Sequence, residues 1–420
     1  MPAFAPFRAY RYSPGTDLNA VIAPPYDVLS DTDIAALKAR DPHNIAHIDV
    51  PAGGDLSRPA PPAASAGPAA AAPAGGGDPY AKAARELREW LAQGVLTQDE
   101  TPTYTIYRMR FADATGAERE LTGVLGGLEV VDQDAGGVLP HERTTPKAVT
   151  DRLDLTRATQ ANLSPVWGLS LASGLTAALA APGEPVGELV QDGASHRAER
   201  VADPARIAEI TAILAADDVL IADGHHRYAI SRTYRDEVRA ATGRADTAAE
   251  QTLAFVGELV EDQLSIEAIH RLYSGICWEH LLAVLTESFI VEPLAAPTPA
   301  TLTEMVADGR LVLLNPDGSA RWLIPKPRAF DGVRALDGAY LEHALAPVAD
   351  APGAQLRVSY QHGLAEMLDA VRHHTAGVLI RPTSLAEIRR TAREGLLMPP
   401  KSTFFTPKLR TGFVIRPTGA

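Results

Sequence analysis

Side chains able to do chemistry cluster near the middle of the chain, in IADGHHRY (221–228). An apolar run, an Asp-Gly pair and a helix-like pattern predict a strand that turns directly into a helix, and helix starts of this kind bind phosphate. Asp223, at the strand end, is placed to hold Mg²⁺ or to accept a proton from a hydroxyl. The alternative is Asp223 as a helix N-cap followed by two surface histidines. We predict that the phosphate ligands are the four residues after the aspartate: Gly224, His225, His226 and Arg227.

A second polar segment is VLPHERTTPKAVTDRLDL (138–155). Five hydrogen-bonding or ionisable side chains in succession are costly to bury without partners. A carboxylate, Glu142, flanked by His141 and Arg143 is typical of a general base or a metal ligand. The alternative is a solvated turn in which Thr144 or Thr145 caps the helix that follows.

A third segment, LMPPKSTFFTPKLRTGFVI (397–415), places lysines beside hydroxyls. Lys401, Ser402, Thr403 and Lys408 are predicted phosphate ligands, and the alternative is a strand with solvated lysines. Only six of the 39 basic residues are lysines. Three of those six lie in this segment or the second one, which favours an anion pocket there.

The remaining patterns mainly exclude function classes. The Gly-Lys dipeptide of a phosphate-binding P-loop and a Gly-x-Gly-x-x-Gly turn after a strand are both absent from the sequence. A net charge of −13 argues against nucleic-acid binding. The N-terminus has no apolar secretory region and no stretch is apolar enough to span a membrane, so a cytoplasmic protein is expected. The single cysteine, Cys277, is predicted to lie in the core.

Periodicity and composition predict an α+β fold of mixed α/β character. Three regions are expected: residues 1–135, residues 136–275 with the first two polar segments, and residues 276–420 with the third. Within the first region, 51–79 is mostly Ala, Pro and Gly and is predicted to be a disordered insertion. Just before it, NIAHIDVP (44–51) is predicted to be a strand.

Six motifs, occurring in order along the chain, carry a family resemblance: APPYDV, PHERT, NLSPVW, ADGHHRY, AIHRL and MPPKSTFFTPK. By these motifs the chain resembles the prokaryotic family called domain of unknown function 1015, over roughly residues 3–415. In addition, Asp223 to Arg227 resembles the phosphate-binding signature of free-serine kinases built on the ParB/sulfiredoxin-like fold. This resemblance implies a ParB/sulfiredoxin-like core elaborated by extra strands and helices.

The resemblance also implies a mechanism, in which ATP or ADP with Mg²⁺ docks its phosphates on the glycine-histidine turn. A hydroxyl, most simply that of free L-serine, then receives the phosphoryl group. The residues given catalytic roles are Glu142 as base, His141, Asp223 (also the metal ligand) and His226. The residues predicted to bind the substrate are Arg143, Thr144, Lys147 and Arg152. The alternatives are a ParB-like module that binds nucleotide without kinase activity and a nucleotide or phosphoester hydrolase. The sequence does not decide between a monomer and a homodimer.

Overall fold

The structure is a computed structural model that describes residues 1–51, 78–113, 116–132, 135–140, 149–349, 351, 355–398 and 401–419. The described chain forms two compact units. The first contains Met1–Leu264 and Pro407–Ala420, and the second contains Ser265–Thr406. Most of the segment predicted to be a disordered insertion, residues 52–77, lies outside the described residues. The division into three regions stays a prediction.

The first unit holds all the helices and strands that precede Leu264. Its helices are α1 (Leu18–Val21), α2 (Asp31–Arg40), α3 (Ala46–Asp49), α4 (Pro79–Ala92), α5 (Val149–Thr159), α6 (Leu175–Ala180), α7 (Pro204–Leu214) and α8 (His225–Thr242). Its strands are β1 (Phe4–Ala5), β2 (Tyr10–Tyr12), β3 (Leu96–Gln98), β4 (Tyr104–Ala112), β5 (Glu118–Glu129), β6 (Val138–Leu139), β7 (Ala161–Asn162), β8 (Val166–Ser170), β9 (Glu184–Gln191), β10 (Ala194–Val201), β11 (Val219–Asp223) and β12 (Gln251–Glu258).

A mixed sheet is the framework of the first unit. Its described strands run in the order β6-β11-β8-β12-β5-β4-β10-β9, with β1 added beside β5. The close packing of β5 on β12 explains a glycine: a Cβ at Gly123 would lie 2.4 Å from the ring of Phe255. At one end of the sheet β6 runs parallel to β11, with Leu139 opposite Leu220. Strands β6 and β11 therefore end at the same sheet edge.

Helices α5 and α8 pack against each other through a small apolar cluster. Leu153 on α5 belongs to one cluster with Ile230 and Tyr234 on α8, and all three side chains are buried. Arg152 precedes Leu153 on α5, and Arg227 lies in the first turn of α8. The packing of the two helices therefore brings two arginines near each other at the end of β11.

The second unit contains another mixed set of helices and strands. Its strands are β13 (Ser265–Glu267), β14 (His270–Ser274), β15 (Phe289–Leu294), β16 (Leu311–Leu314), β17 (Ala320–Pro325), β18 (Arg357–Gln361), β19 (Ala376–Leu379) and β20 (Phe404–Thr406). Its helices are α9 (Trp278–Ser288), α10 (Pro299–Asp308), α11 (Asp337–Ala349), α12 (Leu364–Ala370) and α13 (Leu385–Arg393). Six of these strands form an antiparallel sheet in the order β15-β17-β16-β19-β14-β18 among the described residues.

After β20 the chain returns to the first unit and ends with β21 (Arg416–Pro417), which pairs with β7. Helices and strands alternate irregularly in both units, so the α+β prediction is confirmed. Within the described residues, no helix combines the length and apolar character that crossing a bilayer requires.

Two local predictions are wrong. The segment NIAHIDVP forms helix α3 instead of a strand. The side chain of Asn44 explains this, because its Oδ1 accepts the N–H of Ala46 at 3.0 Å and starts the helical turn. Cys277 is exposed and not in the core, because it lies in the connection that leads into α9.

Candidate functional site

The turn between β11 and α8 is built on a left-handed glycine. Gly224 has φ 84° and ψ 27° and caps α8 without a side-chain hydrogen bond. A Cβ there would lie 3.0 Å from Nε of Arg227, so both the backbone conformation and the space favour glycine. The predicted strand-to-helix turn is confirmed, and the alternative of Asp223 as N-cap is wrong because Gly224 holds that position.

Asp223 lies between two cations at the end of β11. Nη2 of Arg227 donates to its Oδ2 at 2.8 Å, and Nζ of Lys408 donates to its Oδ1 at 3.4 Å. Burial raises the pKa of the Asp223 carboxyl, but the positive charges of Lys408 and Arg227 lower it by more, so the pKa lies well below its usual value. Asp223 is therefore a carboxylate at neutral pH, and a lysine from the C-terminal segment lies at the predicted phosphate turn.

Arg227 joins three of the sequence motifs. Besides Asp223, its Nη2 lies 3.7 Å from Oδ2 of Asp27, which belongs to the APPYDV motif. Its Nη1 donates to the carbonyl of Pro165, which belongs to NLSPVW. The side chain of Arg227 is 9% exposed, whereas that of Asp27 is 41% exposed. Arg227 is thus a buried side chain that contacts three motifs, and the accessible carboxylate of Asp27 lies beside it.

Arg152 is a second buried arginine, and it belongs to a network of its own. Its Nη1 donates to Oδ1 of Asp49 at 3.0 Å, and its Nε donates to Oδ2 of Asp151 at 3.0 Å. Its guanidinium carbon lies 4.1 Å from the centre of the Tyr26 ring, a cation–π contact. Burial raises the pKa of Asp49, and the charges of Arg152 and Arg227 lower it, with a net increase. Burial and the charge of Asp27 raise the pKa of Tyr26 to about 12.

The two arginines share a cavity of about 50 Å³. Its polar lining comes from α3, α5, α8, β7, β12, the 3₁₀ turn Tyr26–Val28 and the segment before β8. The polar residues that matter for its chemistry are Tyr26, Asp49, Arg152, Ser164, Arg227 and Ser231. The site in the first unit therefore has two adjoining parts, a cationic turn at Gly224 and an arginine-lined cavity behind it.

The sequence of the chain matches a known family model over residues 4–339, and that family is described as "Protein of unknown function (DUF1015)". The chain belongs to this family. The match includes the first five motifs, whereas the last motif, in 397–415, lies beyond the matched residues.

Solved structures resemble this DUF1015 protein at low sequence identity. A mutant free serine kinase in complex with ADP is 12% identical, covering 66% of this chain and 89% of its own, with a TM-score of 0.36. A conserved hypothetical protein from Pyrococcus furiosus is 11% identical, covering 66% and 92%, with a TM-score of 0.35. A C-terminally truncated SbnI from Staphylococcus aureus is 13% identical, covering 70% and 87%, with a TM-score of 0.37. No curated protein matches the chain.

Some predicted site residues of the DUF1015 chain come together in the first unit. Asp223 and Lys408 are in contact at the β11–α8 turn, and Arg152 lines the same cavity as Arg227. The remaining predicted residues of the turn are Gly224, His225 and His226, at the cap and in the first turn of α8.

Other predicted residues lie elsewhere in the chain. Lys401, Ser402 and Thr403 belong to the second unit, where the Lys401 carbonyl accepts from Nη1 of Arg271 at 3.0 Å. Their phosphate-binding role stays a prediction. The following predicted residues lie outside the described residues: His141, Glu142, Arg143, Thr144 and Lys147.

Sequence reasoning missed Asp49 as a site residue. Asp49 lies in the segment wrongly predicted as a strand, and nothing in the sequence pairs it with Arg152, 103 residues later. Asp27 and Ser164 belong to the motifs APPYDV and NLSPVW, so those motifs were the available signal. Among the described residues there is no group of three or more His, Cys, Asp or Glu side chains able to hold a metal by themselves.

Proposed function

We propose that this protein is a small-molecule kinase that transfers a phosphoryl group from ATP or ADP to the hydroxyl of free L-serine, giving O-phosphoserine. The observation that carries the proposal is the cationic turn at Gly224. A left-handed glycine there forms the N-cap of an 18-residue helix. Arg227 and Lys408 both contact Asp223, the residue before this glycine. Anions bind at such helix starts because the N–H groups and the helix dipole point toward them.

The nucleotide phosphates are proposed to dock on the first turn of α8, with His225 and His226 as additional donors. Lys408 then neutralises charge that develops on the transferring phosphoryl group. Phosphoryl transfer depends mainly on positioning and electrostatic stabilisation, which fixed cations supply. The local resemblance of residues 223–227 to free-serine kinases supports the same assignment.

The residues at this turn fit a Mg²⁺ ion bound together with nucleotide. Mg²⁺ takes one or two carboxylates in addition to phosphate oxygens. Asp223 is ionised, Arg227 and Lys408 each donate to one of its oxygens, and Oδ2 of the exposed Asp27 lies 3.7 Å from Nη2 of Arg227. When bound with nucleotide, Mg²⁺ would neutralise phosphate charge.

Glu142 is proposed as the base that accepts the proton of the serine hydroxyl. Leu139 pairs with Leu220 in parallel strands, so the chain leaves β6 at the edge where Asp223 lies. Glu142 follows Leu139 by three residues, a span of at most about 10 Å. In the transfer, the bond between the terminal phosphorus and its bridging oxygen breaks, a bond from phosphorus to the serine oxygen forms, and the hydroxyl proton passes to Glu142.

The test is direct. Purified full-length protein is incubated with L-serine, Mg²⁺ and either ATP, ADP or pyrophosphate, and O-phosphoserine is measured by ³¹P NMR. The proposal expects O-phosphoserine with ATP or ADP, and expects Glu142→Gln to reduce turnover by about 10²-fold or more. Nucleotide binding without O-phosphoserine from any donor would overturn it in favour of a binding module. Nucleotide hydrolysis that L-serine does not change would overturn it in favour of a hydrolase.

A further inference from the structure

The cavity behind the phosphate turn contains buried donors whose bonding capacity is not used. Among the described residues, Nη2 of Arg152 and Nε of Arg227 are buried and have no hydrogen-bond partner. The two side chains are 8% and 9% exposed. A buried N–H of a charged group without an acceptor is costly, so two of them on one cavity indicate a ligand that supplies acceptors.

Three other polar side chains of the cavity lining already have partners. Oγ of Ser164 is 2.8 Å from Oγ1 of Thr411, and Oγ of Ser231 donates to the carbonyl of Arg227 at 3.0 Å. Asp49 accepts from Nη1 of Arg152. In this described lining the buried side-chain atoms without a hydrogen-bond partner are therefore guanidinium nitrogens, which prefer an anion.

We infer that this cavity binds the carboxylate of the acceptor molecule, held by Arg152 and Arg227. The inference rests on the proposed function and deepens it, because it makes the acceptor a small hydroxy acid or hydroxy amino acid. Arg152 already pairs with Asp49 and Asp151, and Arg227 already pairs with Asp223, so little positive charge is left over, which favours a monoanionic carboxylate over a phosphate dianion. A volume of about 50 Å³ also suits a group of three heavy atoms.

The inference can be tested without phosphoryl transfer. L-alanine has the carboxylate and ammonium groups of L-serine and no hydroxyl, whereas L-alaninamide lacks the carboxylate. Isothermal titration calorimetry on the full-length protein is expected to show L-alanine binding about tenfold or more tightly than L-alaninamide, as expected for hydrogen bonds to a charged group. Equal affinities, or displacement of L-alanine by inorganic phosphate at equal concentration, would overturn the carboxylate site.

A matched pair of variants locates the site. Arg152→Lys keeps a positive charge for Asp49 but lacks the second guanidinium nitrogen, so L-alanine affinity is expected to fall by about tenfold. Arg157→Lys is the control, since Arg157 lies on the same helix, is 46% exposed and pairs with Glu237. Unchanged affinity in Arg152→Lys would overturn the assignment. Should that variant fail to fold, the comparison of the two ligands on the unaltered protein still decides.

The kinase proposal and the carboxylate site fail in different ways. If L-alanine binds as expected but no donor gives O-phosphoserine, the kinase proposal falls and the carboxylate site stands. If O-phosphoserine forms and L-serinamide is phosphorylated with the same KM as L-serine, the carboxylate site falls and the kinase proposal stands.

Discussion

At the scale of single residues, Gly224 determines whether α8 can receive a phosphate. Its φ of 84° and the 3.0 Å approach of Arg227 to the position of a Cβ mean that Gly224→Ala both strains the backbone and displaces the guanidinium. We expect a loss of about 1–2 kcal/mol in the free energy of unfolding. We also expect nucleotide affinity, measured by titration calorimetry, to fall by about tenfold or more because a charged hydrogen-bonding group moves.

The other end of the same helix offers the control. Gly243 has φ 70°, and a Cβ there meets no atom within 4 Å. Gly243→Ala should therefore cost a similar unfolding free energy and leave nucleotide affinity unchanged. If both variants bind nucleotide equally well, the turn at Gly224 is a structural feature only.

Lys408 is the second residue with a separable effect. Its ammonium group lowers the pKa of Asp223, so Lys408→Met should raise that pKa, which ¹³C NMR of the carboxyl measures directly. Loss of one phosphate-neutralising charge should also weaken nucleotide binding by about tenfold, more at low salt than at high salt. Lys82→Met is the control, because Lys82 is 62% exposed on α4 and pairs with Glu86. An unchanged Asp223 pKa would contradict the contact.

At the scale of elements, the short helix α3 shows what local sequence patterns do not determine. Asn44 is fully buried, and both polar atoms of its side-chain amide form hydrogen bonds. Oδ1 accepts from the N–H of Ala46, and Nδ2 donates to the carbonyl of Ala20 at 2.7 Å. Alternation of apolar residues in NIAHIDVP favours a strand, but these two hydrogen bonds favour a helical turn. The turn presents Asp49 to Arg152.

Asn44→Ala tests this account. The variant leaves a buried N–H and a buried carbonyl without their partner, so the free energy of unfolding should fall by about 1–3 kcal/mol. It should also weaken L-alanine binding, since α3 carries Asp49 to the cavity. Asn315→Ala, in an exposed turn of the second unit, is the control and should change neither quantity. Denaturant titration and calorimetry measure the two quantities, and an unaffected stability would contradict the role of Asn44.

The contrast between α3 and α8 explains how much the sequence predicts. The β11–α8 turn follows from an apolar run and an Asp-Gly pair within a few residues, so local chemistry specifies it. Lys408 was predicted as a phosphate ligand, but its contact with Asp223, 185 residues earlier, depends on the return of the chain to the first unit. The pairing of Asp49 with Arg152 likewise depends on the packing of separate helices, which no local pattern encodes.

At the scale of the whole molecule, the C-terminal segment Pro407–Ala420 completes the first unit. Arg410 lies 3.3 Å from Nε2 of His196 and contacts Asp192, and Arg416 donates to the carbonyl of Gln251 at 2.8 Å. These contacts use buried charged side chains, so the segment is part of the core and not an appended tail. The first unit is thus built from two separate stretches of the sequence, and the second unit is inserted between them.

In the part of the chain that the structure describes, each unit contains one buried histidine that the fold keeps neutral. Burial, followed by the charge of Arg410, lowers the pKa of His196 to about 3. Burial, followed by the charges of Arg271 and His362, lowers the pKa of His270 to about 4. His196 belongs to the first unit and His270 to the second, so each unit serves as the control for the other.

Both histidines should make the protein lose stability in mild acid. In the unfolded chain a histidine takes up a proton near pH 6.5, whereas these folded histidines do not until about pH 3 or 4. The unfolded state therefore binds more protons between those values, and the free energy of unfolding falls by up to about 1.4 kcal/mol per pH unit for each histidine as the pH drops below 6.5. Hydrogen exchange read by mass spectrometry should show β10 and β14 losing protection between pH 7 and pH 5. His196→Gln should flatten that dependence in β10 alone and His270→Gln in β14 alone, and an unchanged dependence in either variant would mean that other groups cause the acid sensitivity.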